Sequence, residues 1–344
     1  FIPHHANVAV PGRRLRVGYV SPNFRNHAAA YFFEPVLACH DARQFQIFCY
    51  SDVLQADETT VRLRQFSGAW RECAHLTDEE LAEQILGDRI DILVDLTGHT
   101  ERNRLLAFAR KPAPIQITWN GYANTTGMSA MDYRITDAFA DPPGMTEHLH
   151  TEKLIRMPDI YMVFRPPPES PAVNELPAAQ SGNLTFGSFN ALSKLTPQVV
   201  QAWSRILSAV PGARLLLATL PAGQTRERVC GMFAAYGVDS ARLELHGRLP
   251  LREFLALHHQ ADIALDPFPF SGTTTTCHSL WMGLPVVTLA GQSHVSRVGV
   301  SMLTNIGLKG MIANSVDDYV NIATRLAGDP GSLRALRGGL RNRM

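Results

Sequence analysis

Three short stretches combine residue types that suit an anionic substrate. Residues 266–286 read DPFPFSGTTTTCHSLWMGLPV, in which four threonines follow Gly272. The preceding ADIALD is a short apolar run of buried-strand type, and CHSLWM after the threonines has a helical pattern that Gly283-Leu284-Pro285 ends. A helix N-terminus carries unpaired N–H groups and a partial positive charge, so it attracts anions. Threonine hydroxyls there add donors. The run is therefore a phosphate cradle or an ordinary threonine cap, and the stretch alone leaves both open. Residues 187–197, GSFNALSKLTP, carry a strand into a polar loop. Lys194 in that loop either reaches a phosphate or is a surface lysine. Residues 19–32, YVSPNFRNHAAAYF, repeat the strand–loop–helix plan. His27 stands at the mouth of the loop, facing either a ligand or solvent.

Other chemistries lack their signatures. The sequence has no GxGxxG after its first strand, no GxxxxGK[ST], no HExxH, no DxD and no GxSxG. No metal site is read from it, and a diphosphate would have to be neutralised by protein donors. A formal net charge of +1 gives no field for nucleic acid. The 45% hydrophobic and 18% charged residues are those of an ordinary globular protein. Five scattered cysteines without a CxxC pair fit a reducing compartment, and the expected location is cytoplasmic. No apolar run reaches the length of a membrane span, and FIPHHANVAVPGRR lacks a signal-peptide core. The absence of an initial Met, and an end at RNRM inside a helical pattern, suggest a fragment of a longer chain.

These residues need a scaffold, and the pattern supplies one twice. LRVGYVS (15–21), FQIFCYS (45–51), DILVDLTG (91–98) and PIQITWNG (114–121) read as strands. A helix near 29–40 and an amphipathic one over 76–86 alternate with them, the latter with Thr77 and Glu80 spaced as a capping box. After a Pro-rich stretch, LTFGSFN (184–190), ARLLLATL (213–220), RLELHG (242–247), ADIALD and PVVTLA (285–290) alternate with helices near 197–209, 224–236, 251–259, 296–305, 315–327 and 331–341. Such alternation predicts parallel sheets covered by helices on both faces. The expected division is a leader over 1–12, an N-terminal domain over 13–163, a linker over 164–182 and a C-terminal domain over 183–344. Ligands in such sheets sit at the carboxyl ends of the strands, where both the threonine run and Lys194 begin.

Together, RLRVGYVSPNFRNH, DILVDLTGHT, ARKPAPIQITWNGYANTTGMSAMDYRITD, FGSFNALSKLTP and DIALDPFPFSGTTTTCHSLWMGLPVVTLAG resemble the catalytic region of the O-GlcNAc transferases. More narrowly, they resemble the bacterial members that carry tetratricopeptide repeats. The resemblance implies an α/β fold of GT-B type, two Rossmann-like doubly wound domains facing a central cleft. It implies inverting, metal-independent transfer of GlcNAc from UDP-GlcNAc to Ser or Thr hydroxyls of a protein or peptide acceptor. The UDP-sugar is a substrate, and no cofactor is implied. By the same resemblance Thr274 and Thr275, with Gly272 and Thr273 leading in, hold the diphosphate. Lys194 stabilises the departing UDP, an electrostatic role. His27 lies beside sugar and acceptor, and Gly121 and Tyr122 stand in the sugar-side loop. Arg297 matches an SRV segment without an assigned contact.

The chain departs from the family pattern on the nucleoside side. Phe254 stands where a histidine stacks on uracil, Leu251 where a lysine meets the ribose, and His278 where an acidic residue binds the ribose hydroxyls. Ala191 replaces an amide residue before the lysine loop. Phe270 is bulkier than the small residue near the N-acetyl pocket of the animal enzymes. Phe254 is expected flat against uracil and His278 one turn beyond the phosphates. The alternatives are a transferase using UDP-glucose or a small-molecule or lipid acceptor, and a degenerate nucleotide-binding module.

Overall fold

A computed structural model describes residues 4–8 and 10–344 of the chain. Of the expected leader over 1–12, residues 1–3 and 9 lie outside the described residues. The chain divides into two compact units, the first ending at Arg165 and the second running from Pro166 to Met344.

In the first unit the strands are β1 (Leu15–Ser21), β2 (Phe45–Ser51), β3 (Ala69–Glu72), β4 (Ile92–Asp95), β5 (Ile115–Thr118), β6 (Tyr133–Asp137) and β7 (Lys153–Met157). They form one seven-stranded sheet in the order β3-β2-β1-β4-β5-β6-β7, parallel throughout. The apolar runs of β1 and β2 become central or near-central strands, because a parallel sheet is buried on both faces. No strand is expected from the sequence pattern over β3, β6 or β7. AWRE, YRITD and KLIRM hold charged residues and no continuous apolar run, and pairing with their neighbours makes them strands. The helix Asp78–Gly87 starts as its capping box requires. Thr77 Oγ1 accepts from the Glu80 amide at 3.2 Å, and Glu80 Oε2 accepts from the Thr77 amide at 2.8 Å.

The second unit repeats the plan with β8 (Thr185–Ser188), β9 (Arg214–Leu217), β10 (Leu243–Leu245), β11 (Ile263–Leu265), β12 (Val286–Leu289) and β13 (Ile312–Ala313). The order is β10-β9-β8-β11-β12-β13, again parallel. Phe186, Trp203, Leu215, Ile263, Val287 and Tyr319 pack in its core. In each unit the strand order turns back beside the first strand, between β1 and β4 and between β8 and β11. Loops leaving such neighbours diverge and open a crevice at the carboxyl ends. The Pro-rich stretch lies against the second unit. Leu176 is buried, Arg337 donates to Asn174 O at 2.9 Å and Ala261 O at 3.0 Å, and Arg341 donates to Pro171 O at 2.7 Å.

Candidate functional site

The crevice of the second unit is built by the loops that follow β8 and β11. After β8 the chain passes Asn190 and makes a short 3-10 turn over Leu192–Lys194. After β11 it runs from Asp266 to Gly272 and enters the helix Thr274–Trp281. This helix begins within the threonine run, three residues earlier than the CHSLWM pattern suggests. First-turn N–H groups lack intrahelical partners, so β-branched residues are tolerated where their hydroxyls find bonds of their own. Thr273 occupies the cap position and makes no side-chain capping bond.

One amide ties the two loops together. Asn190 Oδ1 accepts from Thr275 Oγ1 at 2.9 Å and from Lys194 Nζ at 3.2 Å. Lys194 Nζ also donates to Ser271 O at 2.8 Å and lies 4.0 Å from the centroid of the Phe270 ring. Burial pulls the Lys194 ammonium below its ordinary pKa, and the nearby Asp266 opposes that shift. Gly272 is required by crowding. A Cβ there would stand 2.5 Å from both Thr275 Oγ1 and Thr276 Oγ1. Its amide donates to Asp266 Oδ1 at 2.7 Å, and Thr288 Oγ1 donates to Asp266 Oδ2 at 2.8 Å. Thus Lys194, Phe270, Gly272 and the opening of the threonine helix form one constellation.

Next to it lies an aromatic cluster. His278, one turn into the helix, is buried, and its ring centroid is 6.0 Å from that of Phe254. Phe254 stands edge-on to Phe189 and to His258, while Phe189 stacks on His258 at 3.6 Å. Burial lowers the His278 pKa to about 4 and that of His258 to about 3, so both rings are neutral near pH 7. Leu251 is the first residue of the helix that carries Phe254. Ala191 is exposed.

In the first unit, the loops after β1, β2 and β4 and the chain around Gly121 line an open cavity of about 590 Å³ that includes Arg25, His27, Asp52, Arg102 and Gly121. His27 Nδ1 accepts from the Ala29 amide at 3.2 Å. Burial, and then the charge of Arg25, lower its pKa. Asp52 pairs with Arg102 at 3.1 Å and Arg104 at 3.6 Å. Gly121 is fixed by close approach, since a Cβ would meet Leu96 O at 2.1 Å. Tyr122 packs edge-on against His99, with centroids 5.4 Å apart. Beneath this loop the buried Arg134 donates to Tyr122 O at 2.9 Å and Asn124 O at 2.6 Å.

Sequence reasoning missed Asn190, Asp266 and Arg134. The first two had a signal, because each is a polar residue just past the carboxyl end of a buried strand at the switch point. Arg134 had none. An arginine in a candidate strand counts against burial, and only the carbonyls it meets explain it.

Residues 2–165 and 174–344 match the model of glycosyl transferase family 41. The chain is 44% identical to the probable UDP-N-acetylglucosamine–peptide N-acetylglucosaminyltransferase SPINDLY of Petunia hybrida over 97% of its own length and 36% of the relative's. It is 33% identical to the protein named SEC of Arabidopsis thaliana, over 96% of this chain and 34% of that one. The chain therefore spans about a third of the length of these relatives. Among solved structures, a mutant of the Thermobaculum terrenum O-GlcNAc transferase superposes with a TM-score of 0.94 at 42% identity, covering 99% of this chain and 66% of that one. An Anabaena protein in complex with UDP and glucose shares the fold at a TM-score of 0.54 and 12% identity, covering 96% of this chain and 94% of that one.

Proposed function

We propose, for a chain that belongs to glycosyl transferase family 41, that it is the catalytic region of an enzyme moving GlcNAc from UDP-GlcNAc to Ser or Thr hydroxyls of proteins. The fold is of GT-B type, with two parallel α/β units. The observation that carries the reading is the Lys194–Asn190–Thr275 constellation at the switch point of the second unit. It offers an ammonium, threonine hydroxyls and the N-terminus of an eight-residue helix to one anion. In the proposed reaction the acceptor hydroxyl oxygen attacks the anomeric carbon with inversion as the bond to UDP breaks, and the hydroxyl proton is released to water or to the departing UDP. Charge develops on the diphosphate, and Lys194 with Thr274 and Thr275 stabilises it without a metal. The second unit is the UDP-sugar side. The first unit, with His27, Gly121 and Tyr122, is assigned to the acceptor.

Supporting this reading, Phe254 and His278 already share an aromatic cluster next to the phosphate end. They are assigned to the nucleoside, which faces rings rather than charges. A cytoplasmic setting agrees with five cysteines that are all free thiols, and no helix among the described residues is long and apolar enough to cross a membrane. Titration calorimetry after chelation, with UDP, UDP-GlcNAc, UDP-glucose and the other common nucleoside diphosphates, tests the reading. Saturable UDP and UDP-GlcNAc binding without metal is expected. Failure of every uridine nucleotide to bind rejects it.

One observation favours a second donor. The Phe270 ring is 48% exposed and lies over Lys194, so it borders the sugar beside the diphosphate and crowds an N-acetyl group. UDP-glucose then competes with UDP-GlcNAc, and Phe270→Cys shifts the ratio toward UDP-GlcNAc. An unchanged ratio in donor competition removes Phe270 from the sugar pocket.

A further inference from the structure

Asp266 sits behind the anion constellation and touches neither the threonine hydroxyls' open side nor the crevice surface. It is only 2% exposed. Its carboxylate accepts the Gly272 amide and the Thr288 hydroxyl, and Thr276 also bonds to it. Its own carbonyl accepts from Tyr319 OH at 3.0 Å. The position is closely packed. A Cβ on Gly299 would come within 3.0 Å of Asp266 Oδ2. One carboxylate thus links the end of β11, the turn that opens the threonine helix, β12 and the helix carrying Gly299.

We infer that Asp266, in its ionised form, is a positioning residue that holds the Gly272 turn, whose neighbouring Ser271 carbonyl accepts from Lys194 Nζ, in the geometry that grips a sugar-nucleotide diphosphate. The inference rests on the proposed diphosphate site and goes beyond it by making that site dependent on a buried carboxylate. Three local facts support it. The Gly272 amide has a charged acceptor, and charge-assisted bonds are the strong ones. Lys194 feels the carboxylate as its one resolved attractive charge. Burial raises the Asp266 pKa to about 6, against the donors and Lys194 that lower it. The titratable groups that act on it are Lys194 and Tyr319; Gly272, Thr276, Thr288 and Gly299 face it as neutral groups.

The sign follows. A carboxylate with a raised pKa is ionised above about pH 6 and protonated below it. Protonation removes one acceptor and the charge opposite Lys194, so diphosphate affinity is present at neutral pH and is lost as pH falls. If binding requires the ionised form, affinity drops about tenfold from pH 8 to pH 5.

The probes are UDP-GlcNAc and UDP-glucose. Their phosphates are diesters and do not titrate in this range, whereas free UDP does. Calorimetric titrations of the wild-type chain from pH 5 to 8 are expected to show the tenfold loss. Asp266→Asn is expected to bind roughly tenfold more weakly at pH 8, since it loses a hydrogen bond to a charged group, and to show no loss toward pH 5. Thr288→Val removes a donor that stabilises the ionised form, so its midpoint moves to higher pH. This second variant also serves if Asp266→Asn does not fold. Binding by the wild type with a flat profile, an Asn variant that keeps the wild-type profile, or an unmoved midpoint in Thr288→Val overturns the role of Asp266 and leaves the diphosphate site standing. No binding of either probe at any pH overturns the diphosphate site and this inference with it.

Discussion

At the residue scale, Lys194 is the side chain with the most chemistry asked of it. It is half-buried, and its bonds run to Asn190 and Ser271 rather than to a carboxylate, so its charge remains available to an anion. Lys194→Ala is expected to lower turnover by about 10²-fold or more, the loss seen when one transition-state donor is removed. The thermal midpoint should hold, because the ammonium closes no core contact. Full activity in the variant would take Lys194 out of the reaction. Gly272→Ala tests the turn beside it. A Cβ 2.5 Å from two hydroxyls must displace the first helical turn, so UDP affinity is expected to fall at least tenfold while the far-ultraviolet circular dichroism spectrum is kept. Unchanged affinity would mean that the turn does not set the site.

At the scale of elements, helix ends do the positioning. The threonine helix has a cap position with no capping side chain, which leaves its N-terminal partial charge facing outward. The helix Asp78–Gly87 is the contrast. Its capping box closes its own N-terminus. Thr77→Ala is therefore expected to lower stability by about 1 kcal/mol with no change in nucleotide affinity, read by urea unfolding and by titration. A changed affinity would contradict the separation of the two helices' roles. Threonine before an apolar period is a helix-start signal, so the closed end at Thr77 was legible in the sequence, whereas the threonine run left a cap and an open end as alternatives and its helix begins at Thr274 rather than at CHSLWM.

At the scale of the whole molecule, the proposed function divides the work between two units, each built on a parallel sheet of the same winding. The Lys194–Asn190–Thr275 constellation, proposed to take the nucleotide, lies wholly within the second unit, and the His27 cavity wholly within the first. UDP alone is thus expected to slow amide exchange over 189–196 and 271–278 and to leave the loop 22–29 unchanged. Saturating ligand at 100 times its dissociation constant adds about 2.7 kcal/mol to the unit that binds it. Equal protection of 22–29 by UDP alone would contradict this division of labour.

By itself, the sequence determined the alternation of strands and helices, the two-unit plan and the family. The alternation and the two-unit plan depend on apolar runs, caps and turn residues, which are local along the chain, and the family on the resemblance of several long motifs in order. It also marked Lys194, His27 and the threonines as candidates at strand ends, while local pattern left a surface lysine, a solvent-facing histidine and an ordinary threonine cap open, and the family resemblance chose between them. Tertiary structure alone decided what surrounds them. β3, β6 and β7 exist because neighbours offer them a ladder, not because AWRE, YRITD or KLIRM ask for one. Asn190 meets Thr275 across 85 positions of sequence, and Arg134 is buried because its charge finds the carbonyls of Tyr122 and Asn124. A hydrogen bond between distant residues leaves no period or composition in either one. The bonds that support the site were therefore invisible in the sequence, although Asn190 and Asp266 stand at strand ends where a polar residue is a signal; Arg134 left none.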